Sequence, residues 1–306
     1  MDRLVAPRTD AEVPGYVRAL GVPGIIDLHV HFMPDRMQQK VWGFFDRLPE
    51  RGEREWPITY RGGDDERVRT LRGLGVKGYT TLNYAHRPGV AQWLNDYSTG
   101  FAESHPDAIH SATFYPEPGV ISMVEQSLER GARVFKVHIQ VGDFSPLDPQ
   151  LEQVWSVIAA AGVPVVIHCG SGPHGGTHTG PEPIRELLRR HPDLALVIAH
   201  AGLPEYSEFA DLALRHPNVY LDTTMVGTSY TEKFSPLPHD YPATLARLGD
   251  KVVLGTDFPT IPYQYAHQIE VLHEWGLGAE WMGNVLWHTP RHVLGLTETP
   301  RGAAQP

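Results

Sequence analysis

Eight short runs of apolar and β-branched residues recur along the chain, at 24–32, 78–85, 108–115, 133–141, 164–170, 195–201, 219–224 and 252–257. Between most of them lie segments with apolar residues at helical spacing, at 64–74, 90–105, 120–130, 151–161, 182–190, 206–215 and 241–248. Strands alternating with helices predict βα units on a parallel sheet. Eight such units are the count of a closed (β/α)8 barrel, the TIM-barrel form of the α/β class. Several units share one local grammar. In "AAAGVPVVIH", "RRHPDLALVIAH", "LRHPNVYLDT" and "LGDKVVLGTD", a Gly or His-Pro stops a helix and an apolar strand follows at once. The 306 residues suit one barrel domain over 1–306, although length alone also fits two ordinary domains.

Two segments exceed a minimal barrel. Residues 33–63 contain "VWGFFDRLPERGEREWPITYRGG" and are expected to form a lid-like insertion after strand 1. Residues 170–181, "GSGPHGGTHTGP", form a Gly-rich loop whose His174 and His178 read as exposed, and no phosphate-cradling pattern occurs there. The tail at 297–306 is expected to be disordered.

Composition narrows the function classes. Hydrophobic residues make up 41% and charged residues 20%, a globular balance. With a net charge of -10 and no basic run of five, neither nucleic acid nor an anionic membrane is an expected partner. The absence of a long apolar stretch or a secretory-signal centre predicts a soluble, cytoplasmic protein. Cys169 stands alone, which excludes an internal disulfide and a cysteine zinc framework. Any metal must therefore be held by the carboxylates and the 17 histidines.

Polar residues at the ends of the apolar runs carry the candidate chemistry. "IIDLHVHFMP" places Asp27, His29 and His31 at every second position, which on a strand is one face. In "RVFKVHIQV", Phe135, Val137 and Ile139 share one face while Lys136 and His138 share the other. His168, His200 and Asp257 close three further runs. In a barrel these positions meet at the C-terminal end of the strands. A lone inward histidine reads as a satisfied core residue; five ligating groups from four strands read as a metal site, against a purely structural hydrogen-bond network. Tyr84, His86, Tyr115 and His138 are candidate pocket residues, each with a plausible packing role. Trp42, Phe44, Phe45 and Arg61 read either as an aromatic lid bearing a cation or as a satellite hydrophobic cluster.

The motifs "DLHVHFMP", "VVIHCG", "VIAHAG" and "VLGTDFP", in that order over nearly the whole chain, resemble the amidohydrolase superfamily. Within it they resemble the "amidohydrolase 2" branch related to aminocarboxymuconate semialdehyde decarboxylase. The resemblance implies that His29, His31, His168 and Asp257 ligate one divalent metal, zinc ahead of manganese. It also implies catalytic roles for Asp257, which takes a proton from water, and His200, an acid/base or electrostatic group beside the metal. Asp27 would orient its neighbours. A second metal follows only if Lys136 is carboxylated, as in binuclear members; otherwise Lys136, with Arg61 and Arg87, is suited to a substrate carboxylate. Lys136, His138, Tyr84 and Arg61 are thus the expected substrate contacts. "NVLWHTPRHVLGL" departs from the branch's Asn-Ala-x-x-Leu-Leu-Gly-Leu helix by His288 and Thr289. Three readings stand: a hydrolase in which metal-activated water attacks an amide, ester or lactone carbonyl of a small acidic substrate, a metal-dependent non-oxidative decarboxylase, and a non-catalytic metal-binding barrel. The expected partner is a small molecule; the oligomeric state is not readable from the sequence, and exposed aromatics in 33–63 are compatible with a homodimer.

Overall fold

The computed structural model describes residues 4–296, so the tail at 297–306 lies outside the described residues. Every apolar run yields strand: β1 (Ile25–Asp27), β2 (Val76–Thr80), β3 (Ala108–Ile109), β4 (Ser111–Thr113), β5 (Val134–His138), β6 (Val165–His168), β7 (Leu196–Ile198), β8 (Val219–Asp222) and β9 (Val252–Val253). The third run gives two short strands because the chain breaks at His110, whose carbonyl accepts a hydrogen bond from the Arg133 amide at 2.8 Å. All neighbours are parallel, in the order β1-β2-β3 and β4-β5-β6-β7-β8-β9.

The first and last runs close the ring. The Leu28 amide donates to the Leu254 carbonyl at 2.9 Å, the Asp257 amide to the His29 carbonyl at 2.9 Å, and the His31 amide to the Phe258 carbonyl at 2.8 Å. Val30 and Phe258 form a parallel bridge across the same join.

Two apolar layers hold the barrel. Between strands and helices lie Phe135, Val137, Ile167, Ile198 and Leu221, all buried. Inside the ring, Ile26, Leu28, Val134, Val166, Val197 and Val253 pack together with Val293 and Leu294 from the C-terminal helical segment. Each such side chain contributes roughly 1.5–3 kcal/mol on burial. The seven expected helices are present, for example Ala91–Ser104, Pro181–Arg190 and Tyr206–Arg215. Among the described residues, no helix is long and apolar enough to cross a membrane.

Three features depart from expectation. The strands are shorter than their apolar runs, since after each strand the chain turns toward the barrel mouth. Residues 33–63 contain a helix, Asp35–Asp46, and their second half lies against the loops after β8 and β9. There the Trp56 indole donates to the Thr260 carbonyl at 2.8 Å, the Thr59 amide to the Ile261 carbonyl at 2.9 Å, and the Tyr230 hydroxyl to the Glu55 carbonyl at 3.0 Å. Finally, β1 stops at Asp27 and the chain bends at Leu28 and His29. Strict alternation therefore fails at this point: Leu28 enters the barrel interior, and Asp27 parts from the two histidines.

Candidate metal centre

His29 and His31 leave the bend after β1, and Asp257 follows β9, so the ring closure itself brings them together. One nitrogen from each imidazole and one Asp257 oxygen all lie within 4.8 Å of one another. His31 Nε2 is 2.9 Å from Asp257 Oδ1, and His29 Nε2 is 3.6 Å from it. A Cβ on Gly255 would sit 2.7 Å from the His29 Cβ and 2.2 Å from Thr224 Oγ1, so the close approach of these strands requires glycine.

Hydrogen-bond partners select the tautomers. His29 Nδ1 donates to Asp222 Oδ2 at 2.8 Å, leaving its Nε2 as a lone pair. His31 Nδ1 donates to the Leu82 carbonyl at 3.0 Å, and His200 Nδ1 to the Thr224 carbonyl at 3.1 Å. His31 Nε2 faces an Asp257 carboxylate oxygen at 2.9 Å, a separation bridged by a proton on Nε2 or, equally, by a cation in its place. Two imidazoles with one carboxylate form a donor set suited to a divalent ion.

The charge states agree. Burial pushes His29 down to about 3, aided by Lys136 and opposed by Asp222, so its contact with Asp222 is a hydrogen bond from a neutral ring. Burial alone would raise Asp257, but the His31 hydrogen bond and the His29 and His200 imidazoles hold it well below the usual carboxylate range. Asp222 is likewise held down, by His29 above all, against the upward push of its burial. Burial lowers His200, and it takes His168 and His138 well below the ordinary histidine value.

Backbone strain collects here as well. His200, Ala201 and Asp257 have φ of 54°, 50° and 70°, a left-handed conformation that costs a non-glycine residue roughly 1–3 kcal/mol. The Asp222 carboxylate supports this geometry by accepting from the His200 amide at 2.7 Å and the Thr224 amide at 3.0 Å.

The remaining expected site residues divide into two groups. A closed circuit of rings lines the mouth. Going round it, the centroids of Tyr84 and His138 are 4.9 Å apart, His138 and His168 3.8 Å, His168 and His200 4.8 Å, His200 and His29 5.2 Å, His29 and His31 5.1 Å, and His31 and Tyr84 6.2 Å. Lys136, fully buried, points Nζ at His29 Nε2 over 3.1 Å, and burial pushes it down to about 8. His168 belongs to the circuit but not to the compact group of three; its Nε2 lies 3.3 Å from the Gly172 carbonyl. Arg61 stands apart: its guanidinium is paired with Asp46 and packed over Trp42, so it is engaged within residues 33–63.

Two neighbouring carboxylates support the centre, one expected and one not. Asp27 receives the Thr256 hydroxyl at 2.6 Å, the Tyr265 hydroxyl at 2.9 Å and the His29 amide at 3.1 Å, and so ties β1 to β9 beneath the centre. Asp222 was not singled out in the sequence, although it closes "VYLD" as the other polar residues close their runs.

Comparison with known proteins accords with this geometry. A protein-family profile described as amidohydrolase matches residues 26–296. No curated protein matches the chain. Among solved structures, an uncharacterized TIM-barrel protein from Bordetella bronchiseptica is 19% identical, with 89% of this chain and 98% of that one covered at a TM-score of 0.69. A 5-carboxyvanillate decarboxylase from Novosphingobium aromaticivorans, solved with bound manganese, is 11% identical over 90% of this chain and 98% of that one, with a TM-score of 0.60. A probable 2-pyrone-4,6-dicarboxylic acid hydrolase from Acinetobacter baumannii, solved with citric acid bound, is 12% identical over 89% and 99%, with a TM-score of 0.58. At these identities the structures speak for the fold, and the profile, which spans the strands and the His29, His31 and Asp257 cluster, speaks for the family. The chain belongs to the amidohydrolase family of TIM-barrel proteins.

Proposed function

We propose that the protein is a metal-dependent hydrolase acting on an amide, ester or lactone of a small acidic substrate. One divalent ion, zinc ahead of manganese, would be held by His29, His31, His168 and Asp257. The observation that carries this reading is the convergence of His29, His31 and Asp257, whose ligand atoms lie within 4.8 Å of one another beneath a mouth ringed by imidazoles. An ion bound there would act as a Lewis acid on a carbonyl and bring a water toward ionisation near neutral pH. Asp257, ionised and with 20% of its side chain exposed, is the base that takes the water's proton and passes it to the leaving group. His200 has its Nδ1 engaged by Thr224, so its Nε2 is the acceptor that relays a proton on the opposite side of the centre. Tyr84, pushed up to about 12 by burial and by the Asp257 charge, stays a phenol and can donate to a substrate carboxylate. Lys136 adds a cationic donor below it. Residues 33–63 serve as the lid, fastened through Trp56 and Tyr230 to the loops beside Asp257.

Hydrolysis is the reading adopted because Asp257 is ionised and open to a water; a decarboxylase would use the same groups, with Tyr84 or Lys136 giving a proton to carbon, and the products separate the two. The test is turnover of an ester, lactone and aromatic-acid panel in ¹⁸O-water by the zinc-loaded protein. Incorporation of ¹⁸O into a product carboxylate is expected. Release of CO2 without label uptake would replace hydrolysis by decarboxylation, and full metal occupancy with no turnover would favour a binding role.

A further inference from the structure

We propose that His138 is a positioning residue for the metal centre: stacked on His168, it holds that imidazole in the orientation that presents Nδ1 as its ligating nitrogen. The inference rests on the reading of His168 as a ligand, and it gives His138 a role other than substrate contact.

The stack is built into the sheet. In the register of β5 and β6, His138 stands directly beside His168. Partners in adjacent parallel strands point the same way, about 4.8 Å apart along the hydrogen-bond direction. Here the rings close to 3.8 Å between centroids, only 12° from parallel. That contact is tighter than any other in the circuit of rings, and the rest of the circuit meets edge-on or tilted.

His138 is itself fixed on three sides. Its Nδ1 accepts the Val141 amide at 3.3 Å, capping the short helix Ile139–Gly142. One face lies on His168, and the Tyr84 ring packs on it at 4.9 Å. With 9% of the residue exposed, little but the Nε2 edge is left for a substrate.

His168 has fewer restraints of its own. Its Nε2 donates to the Gly172 carbonyl at 3.3 Å, a long bond to the start of the Gly-rich loop. The remaining nitrogen, Nδ1, is thus the donor it can present to an ion, whereas His29 and His31 present Nε2. A single long hydrogen bond allows rotation about χ2; a flat neighbour across the whole ring face does not. Both rings are neutral and buried, so they stack without charge repulsion.

Metal-stripped full-length protein, loaded with cobalt(II) or zinc, tests this without a substrate. His138→Ala should weaken zinc about 10- to 100-fold in chelator competition, the range typical of residues that orient a ligand. It should also move the visible cobalt spectrum toward that of His168→Ala. His138→Phe, which restores a flat ring, should recover the wild-type spectrum, and His138→Leu, similar in bulk but not flat, should not. The Phe and Leu pair keeps the test decisive if the Ala variant fails to fold. Wild-type zinc affinity and cobalt spectrum in His138→Leu would overturn the positioning role. If His168→Ala also left both unchanged, the ligand assignment in the proposed function would fall with it; a loss confined to His168→Ala would refute the role of His138 alone.

Discussion

Asp222 has no exposed surface and serves three groups at once: the His29 ring, the His200 amide and the Thr224 amide. Replacing it with asparagine removes the charge that favours the His29 Nδ1–H tautomer and, with the amide oxygen kept on the His200 and Thr224 amides that share Oδ1, turns an NH2 group toward His29 Nδ1. Asp222→Asn is therefore expected to weaken zinc about 10-fold or more, with a smaller effect on the thermal midpoint of the metal-free protein; chelator competition and a melting curve measure the two. At this scale the sequence shows a residue's type and neighbours but not its hydrogen bonds. The cluster of His29, His31 and Asp257 was legible because a histidine or aspartate at the end of an apolar run has few structural uses. Asp222 obeys the same pattern, yet nothing in "VYLDTT" reveals that its partners are His29 and His200. Arg61 shows the opposite case. An arginine in an aromatic segment reads as a free cation, and only the folded chain shows Asp46 beside it.

Among the elements, the segment 52–61 is fastened to the mouth by Trp56, Tyr60 and Arg54, with Trp56 hydrogen-bonded to the loop after β9. Trp56 donates to the Thr260 carbonyl at 2.8 Å and packs between Phe45 at 4.9 Å and Tyr230 at 4.8 Å. Trp56→Ala should cost about 3 kcal/mol locally and speed tryptic cleavage at Arg51 and Arg54 severalfold, leaving the barrel helices protected in hydrogen exchange. Unchanged cleavage would mean that the backbone bonds of Thr59 and Glu55 suffice. The seven helices between strands were readable from their spacing, because each buries one stripe against the sheet. The helix Asp35–Asp46 went unassigned within the expected insertion, although Met37, Val41, Phe44 and Phe45 share one side of it and Arg36, Gln39 and Lys40 the other. Tyr265–Glu274 was passed over because the count of eight units was already complete before it. The bend at Leu28 and His29 was equally hidden: Leu and His alternate through it as they would in a straight strand.

For the whole molecule, the eightfold alternation of strand and helix was legible, and the way the barrel floor is filled was not. Val293 and Leu294 rise from the end of the chain into the inner layer formed by Ile26, Val134, Val166, Val197 and Val253, with Trp287 and Leu296 beside them. The sequence shows two apolar residues near one another, whereas these partners lie on five different strands. Leu294→Ala should therefore destabilise the entire barrel by about 2–5 kcal/mol, seen as one cooperative shift in denaturant unfolding with no change in slope. A biphasic curve would instead show that the C-terminal segment comes away by itself.

The join between the first and last strands has a consequence for synthesis. His31 and Asp257, 226 residues apart, face each other only once that seam has closed. A ribosome releases the two histidines before the aspartate, so the cluster is incomplete until residue 257 has emerged. An ion held there would act as a buckle across the joint between β1 and β9.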